Sequence, residues 1–181
     1  MSQETKESNQ KKNYLLIILI LFLITIIALG VTIVMLLLGG KKQSLLPPDY
    51  APVETEENMD SVDGDETKLP QSEGGGAVGL TFSYEVNIDL SNGQATFYVK
   101  NPMKSNQDMV VQLVIKDLLV FQTGRLTPGH ELSKMDLSDD VLNRLAAGGY
   151  EGALRFYYYD PDTGEKAMVN TNIPVNVTVV E

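Results

Sequence analysis

Residues 80–181 predict an all-β domain: an antiparallel sandwich of about seven or eight strands with one short helical turn. Three observations predict it. Residues 80–90 (LTFSYEVNIDL) alternate apolar and polar side chains, the period of a half-buried strand. Asn92-Gly93 follows directly, the preferred pair for a tight hairpin turn. Short strand-like stretches then recur to the end of the chain, each closed by turn residues.

Each element has its own reason. Residues 95–100 alternate again and should pair with 80–90, and Asn101-Pro102 breaks the run. Residues 109–115 form a third strand, and residues 118–122 a fourth after Lys116-Asp117. Thr127-Pro128-Gly129-His130 suits a type II turn, with Pro and Gly in the central positions. Residues 131–137 make a short fifth strand. At 138–145 the period changes: Ser138 is a candidate cap, Asp139 and Asp140 favour a helix start, and Val141, Leu142 and Leu145 share a face. Gly148-Gly149 stop the helical turns. Residues 150–159 form a long strand and Asp160-Pro161-Asp162-Thr163-Gly164 a turn. Residues 166–170 and 173–180 complete the strand set.

Leu145-Ala146-Ala147-Gly148-Gly149-Tyr150 resembles the entry to the penultimate strand of immunoglobulin-like domains. There a tyrosine bonds back to the backbone as a tyrosine corner, and Tyr150 stands at the matching position. Gly152 stands where antibody domains carry a cysteine, so the resemblance is to sandwiches without the disulfide. The stretch from Val99 to Gly129 is also similar to bacterial CARDB-like and fibronectin-like extracellular modules. The whole layout resembles uncharacterised membrane-anchored surface proteins of Gram-positive bacteria, which implies an extracytoplasmic setting.

Two regions of unlike composition precede the domain. Residues 14–38 carry no charge over 25 positions. A helix of that length spans about 37 Å, enough to cross a hydrocarbon core of about 30 Å. Thr25 and Thr32 interrupt the run, and each can bond back to a carbonyl one turn earlier. The run is too long for a signal-peptide core, so an uncleaved transmembrane anchor is expected. Lys6, Lys11 and Lys12 precede it, while Lys41 and Lys42 follow it. This count, with a 13-residue tail at 1–13, favours a cytoplasmic N-terminus and an external C-terminal domain in the cell membrane. Residues 39–79 then read as a linker. Between 43 and 79 nine acids face Lys68 alone, with Pro47, Pro48, Pro52 and Pro70 interspersed and Gly74-Gly75-Gly76 at the end. Sparse apolar content and like charge predict a disordered, self-repelling tether.

Composition excludes much chemistry. The 181 residues include no Cys and one His, with 24 acids against 14 bases and a net charge of −10. Disulfides, thiolate metal sites and cysteine nucleophiles are ruled out, and a Ser-His-Asp catalyst would have to use His130. His130 lies in the Pro-Gly turn, where it reads as a solvated turn residue. The acidic balance argues against nucleic acid. Asp160, Asp162 and Glu165 are a weak calcium candidate, although the same residues suit a hairpin loop. No enzyme activity, cofactor or resident metal is expected.

Alternation singles out one surface. In the 150–159 strand, Tyr150, Gly152, Leu154, Phe156 and Tyr158 face one way, and Arg155, Tyr157 and Tyr159 the other. In the 109–115 strand, Val110, Gln112 and Val114 oppose the core set. In an immunoglobulin-like arrangement these strands are neighbours, so the six residues form a candidate interaction patch. β-branched and aromatic residues also favour strands for their own sake, and the helical turns at 138–145 are a candidate cover. The expected function is protein binding or self-association in an envelope complex. The alternative is wall-glycan binding, with the same tyrosines as stacking platforms.

Overall fold

The computed structural model describes residues 18–32, 45–64, 67–70 and 76–181. The chain divides into two units, Met1–Lys42 and Gln43–Glu181.

In the first unit, residues 18–32 form helix α1, exposed along its described length. The Thr25 hydroxyl donates to the Phe22 carbonyl at 2.7 Å, and the Thr32 hydroxyl to the Ala28 carbonyl at 2.8 Å. Among the described residues no helix is long and apolar enough to cross a membrane. Fifteen residues span only about 22 Å. The two ends of the expected 14–38 span, and the tail at 1–13, lie outside the described residues.

The second unit is built of strands. They are β1 (Asp60–Ser61), β2 (Thr81–Phe82), β3 (Glu85–Asp89), β4 (Gln94–Asn101), β5 (Asp108–Ile115) and β6 (Leu118–Gln122). After these come β7 (His130–Asp136), the single-turn helix α2 (Asp139–Leu142), β8 (Gly148–Tyr159) and β9 (Lys166–Val180). Their order across one hydrogen-bonded sheet is β1-β7-β4-β3-β9-β8-β5-β6, with β2 on β4.

The sheet is mixed, which corrects the antiparallel expectation. β3 runs parallel to β9, from Glu85 opposite Asn176 to Asp89 opposite Val180. The other described strand pairs are antiparallel. A parallel neighbour needs a long connection, and here the whole intervening domain supplies it.

The sheet curls onto its own inner face. Phe97 of β4 stacks on Phe121 of β6 with ring centroids 4.8 Å apart, although four strands separate them in the sheet order. Val86, Ile88, Leu113, Leu132, Leu154, Phe156 and Val177 share that core.

Local chemistry altered several expected elements. The run 80–90 splits at Ser83-Tyr84 into β2 and β3. The hairpin between β3 and β4 is a four-residue loop, because Asp89 pairs with Gln94. The Asp89 carboxylate accepts bonds from the Ser91 and Asn92 amides and the Ser91 hydroxyl. These bonds hold its pKa below the usual carboxylate value, led by the Ser91 hydroxyl. Such side-chain-to-backbone bonding outweighs the local preference of Asn92-Gly93 for a two-residue turn. At the other end, 166–170 and 173–180 fuse into the single strand β9. Ser138 makes no side-chain cap; its carbonyl accepts from Val141 and Leu142.

The largest correction concerns the linker. Residues 45–64 and 67–70 lie along the domain rather than forming a free tether. Tyr50 bridges Glu165, Thr55 bridges Arg125, and β1 pairs with β7. The Lys68 ammonium donates to the Met103 and Ser105 carbonyls, both at 2.8 Å. Composition predicted disorder because little apolar surface is available to bury. The attachment is made instead through main-chain pairing and a few side-chain-to-backbone bonds, which composition does not report. The remaining linker residues, 39–44, 65–66 and 71–75, lie outside the described residues.

Candidate interaction surface

The outer face of β5 and β8 is where the six candidate patch residues sit. β5 and β8 pair from Asp108 opposite Tyr159 to Ile115 opposite Gly152. Alternation assigns the faces as expected: Met109, Val111, Leu113, Leu154, Phe156 and Tyr158 join the inner core, while Val110, Tyr157 and Tyr159 form a separate outer cluster. Their exposure is not as expected. Val110, Gln112, Val114, Tyr157 and Tyr159 are buried, and Arg155 is half-buried. The face is divided into a covered half and an open half.

The covered half lies under residues 48–51. Ala51 packs on Val110, Tyr157 and Tyr159. The Tyr159 hydroxyl donates to the Pro48 carbonyl at 2.9 Å. The Ala51 amide donates to the Gly164 carbonyl at 2.7 Å, and the Lys166 amide to the Asp49 carbonyl at 3.2 Å. Burial pushes the Tyr159 phenol well above its ordinary pKa, with Tyr157 and Asp49 adding to the shift. The Lys166 ammonium lies 5.9 Å from the Tyr157 ring centroid, within cation–π range. The helical turns at 138–145, the cover considered from sequence, are not what packs on this cluster. Gln112, between the two halves, donates through Nε2 to Gln122 Oε1 at 2.7 Å.

A second attachment follows along the same strap. The Arg125 amide donates to the Glu54 carbonyl and the Glu56 amide to the Arg125 carbonyl, both at 3.1 Å. Glu56 is buried, and its carboxylate accepts the Gly124 amide at 2.8 Å. Only glycine fits at 124, because a Cβ there would stand 2.9 Å from the Glu56 nitrogen. Beneath this contact, Asp108 Oδ2 is 3.4 Å from Arg125 Nε. Burial raises the Asp108 pKa; Arg125 opposes the shift and Asp160 reinforces it.

The open half is a groove of about 580 Å³. Val114, Ala153 and Pro174 line it with the main chain of Gly152, and the longer side chains are Tyr84, Lys116, Glu151, Arg155 and Asn176. Lys116 adopts φ 54° in the two-residue turn between β5 and β6, the left-handed conformation such hairpins require. Asn176 is held by Glu85, Nδ2 to Oε1 at 2.9 Å. Neither Arg155 nor Lys116 makes an ion pair among the described residues. Tyr84 is 60% exposed.

The remaining candidates are engaged locally. His130 Nδ1 is 2.9 Å from the Thr127 hydroxyl, within its own turn, and Gly129 takes the positive φ of 88° that a type II turn requires. Asp160 Oδ1 accepts the Asp162 and Thr163 amides, which lowers its pKa. Among the described residues no three metal-ligating side chains cluster. The Tyr150 hydroxyl donates to the Ala146 carbonyl at 2.8 Å, the backbone bond expected of that position.

Sequence reasoning missed the strap and the groove. Pro47, Pro48 and Pro52 within six residues were the available signal, since prolines hold a peptide extended. Tyr84 was read only as an apolar-face position in the 80–90 alternation, whereas it is exposed. No protein-family model matches the chain, and no curated protein matches it.

Proposed function

We propose that this chain is a single-pass membrane protein that displays an immunoglobulin-like sandwich outside the cell and binds a protein partner in the envelope. The observation that carries the binding role is the open groove, where Arg155 and Lys116 make no ion pair among the described residues and lie beside exposed Tyr84. Arg and Tyr are the side chains most often found in binding hot spots. The small side chain of Ala153 leaves room for an inserted partner side chain. The immunoglobulin-like assignment is supported by the strand order, with β7-β4-β3 against β9-β8-β5-β6, and by the Tyr150 bond to Ala146. The anchor is supported by the uncharged run at 14–38.

Wall glycan is the second reading, and it is narrower than the sequence suggested. Tyr157 and Tyr159 are buried and cannot serve as stacking platforms. Tyr84 alone supports it.

A photo-crosslinking residue at Tyr84, in the full chain on intact cells, tests the proposal. A discrete protein adduct that disappears with Arg155→Ala, and is not formed from the fully exposed position Met168, is the expected result. Retention on purified wall that depends on Tyr84 would favour glycan instead. External protease should remove a C-terminal tag from intact cells, and protection until lysis would overturn the orientation.

A further inference from the structure

We infer that the seat of residues 48–51 is an exchangeable strand site, and that the corresponding segment of a second copy of this chain occupies it. The seat belongs to the domain. Tyr157, Tyr159 and Val110 form its apolar floor, the Gly164 carbonyl and Lys166 amide form its edge, and the Tyr159 hydroxyl reads the Pro48 carbonyl. The occupant contributes few side chains. Ala51 packs on the floor, whereas Tyr50 is 62% exposed and Val53 is 92% exposed.

Recognition is therefore mostly main-chain pairing, as in peptides that add a strand to a sheet edge. The fit to this seat is already demonstrated by one segment, the chain's own. Pro47, Pro48 and Pro52 keep that segment extended whether or not it is docked, so docking orders little that was free. Exchange between copies replaces each contact by the identical one, which makes it a low-cost route to association. The stretch at half-buried Pro52 and exposed Val53, between the seat and the second attachment at Gly124-Arg125, is the hinge. The site goes beyond the groove and does not depend on it. It does draw on the anchor reading, since copies held in one membrane plane raise one another's effective concentration.

Tyr50 and Glu165 supply the test. They are bridge partners, and the bonds Ala51 to Gly164 and Lys166 to Asp49 flank them, making them a non-hydrogen-bonded pair with side chains close together. The chain has no cysteine, so a disulfide here is unambiguous. Full chains carrying Tyr50→Cys with one tag and Glu165→Cys with another are co-expressed in the membrane and oxidised. The expected result is a disulfide-linked heterodimer in clear excess over either homodimer. The Tyr50→Cys/Glu165→Cys double variant should form both intramolecular and intermolecular bonds. An intramolecular bond in the double variant without heterodimer in the mixture would overturn exchange. Tyr50→Cys homodimers as abundant as heterodimers would show random collision and overturn it equally. No disulfide in any arrangement would show that residue 50 does not occupy the seat.

Discussion

The Tyr159 hydroxyl donates a 2.9 Å hydrogen bond to the carbonyl of Pro48, 111 positions earlier in the chain. That bond, with Ala51 packed beside it, covers the half of the outer face that is richest in tyrosine. Tyr159→Phe removes the bond and keeps the ring. The expected cost is about 1 kcal/mol, the net worth of one such bond. Equilibrium unfolding would measure it, and limited proteolysis near Pro52-Val53 should accelerate. Unchanged cleavage would show that the bond does not hold the strap.

Gly124→Ala tests the second attachment. The new methyl would meet the Glu56 nitrogen at 2.9 Å and the Glu54 carbonyl at 3.1 Å, both main-chain atoms. The strap must then shift, at about 1–3 kcal/mol for overpacking. Amide exchange of Glu56 should rise while that of Val111 in the core stays slow. Equal protection in variant and parent would contradict the contact.

Tyr150→Phe deletes the bond to the Ala146 carbonyl at the entry to β8. The expected loss is about 0.5–1.5 kcal/mol with the fold retained. A denaturation midpoint unchanged from the parent would reduce the tyrosine to ordinary packing.

Asp108 gives a pH dependence of definite sign. Its folded pKa is raised, chiefly by burial, with Arg125 opposing and Asp160 reinforcing. The native state therefore holds this proton more tightly than the unfolded chain does. Its contribution to stability falls as pH rises from the ordinary value of 3.8 through the raised folded value. At neutral pH the ionised carboxylate is a net cost. Asp108→Asn should unfold at higher denaturant than the parent at pH 7, and the gap should narrow as pH approaches 4. A gap that stays constant with pH would mean that Asp108 does not titrate differently in the two states.

How far the sequence reaches is clear from single strands. In β8 and β5 the period of two assigned every inner and outer residue correctly, because pleating alternates side chains whatever surrounds the sheet. It said nothing about what lies on the outer face, so Tyr157, Tyr159 and Val110 were expected to be free. The strap that covers them is acidic and proline-rich, the composition of a tether. It is held largely by main-chain carbonyls and amides, helped by the Tyr159 hydroxyl, the Glu56 carboxylate and the Lys68 ammonium. Main-chain recognition leaves almost no mark on composition.

By itself the sequence determined the β-rich class, most strand positions, the inward and outward faces, the back-bonding of Thr25 and Thr32, and the role of Tyr150. These follow from local periodicity and from bonds between near neighbours. Only the tertiary structure decided the parallel pairing of β3 with β9, the fusion of β9, the seating of the strap and the groove beside Arg155. Each of these depends on which distant backbone edges meet, and that is set by the closure of the whole sheet rather than by any stretch of residues read alone.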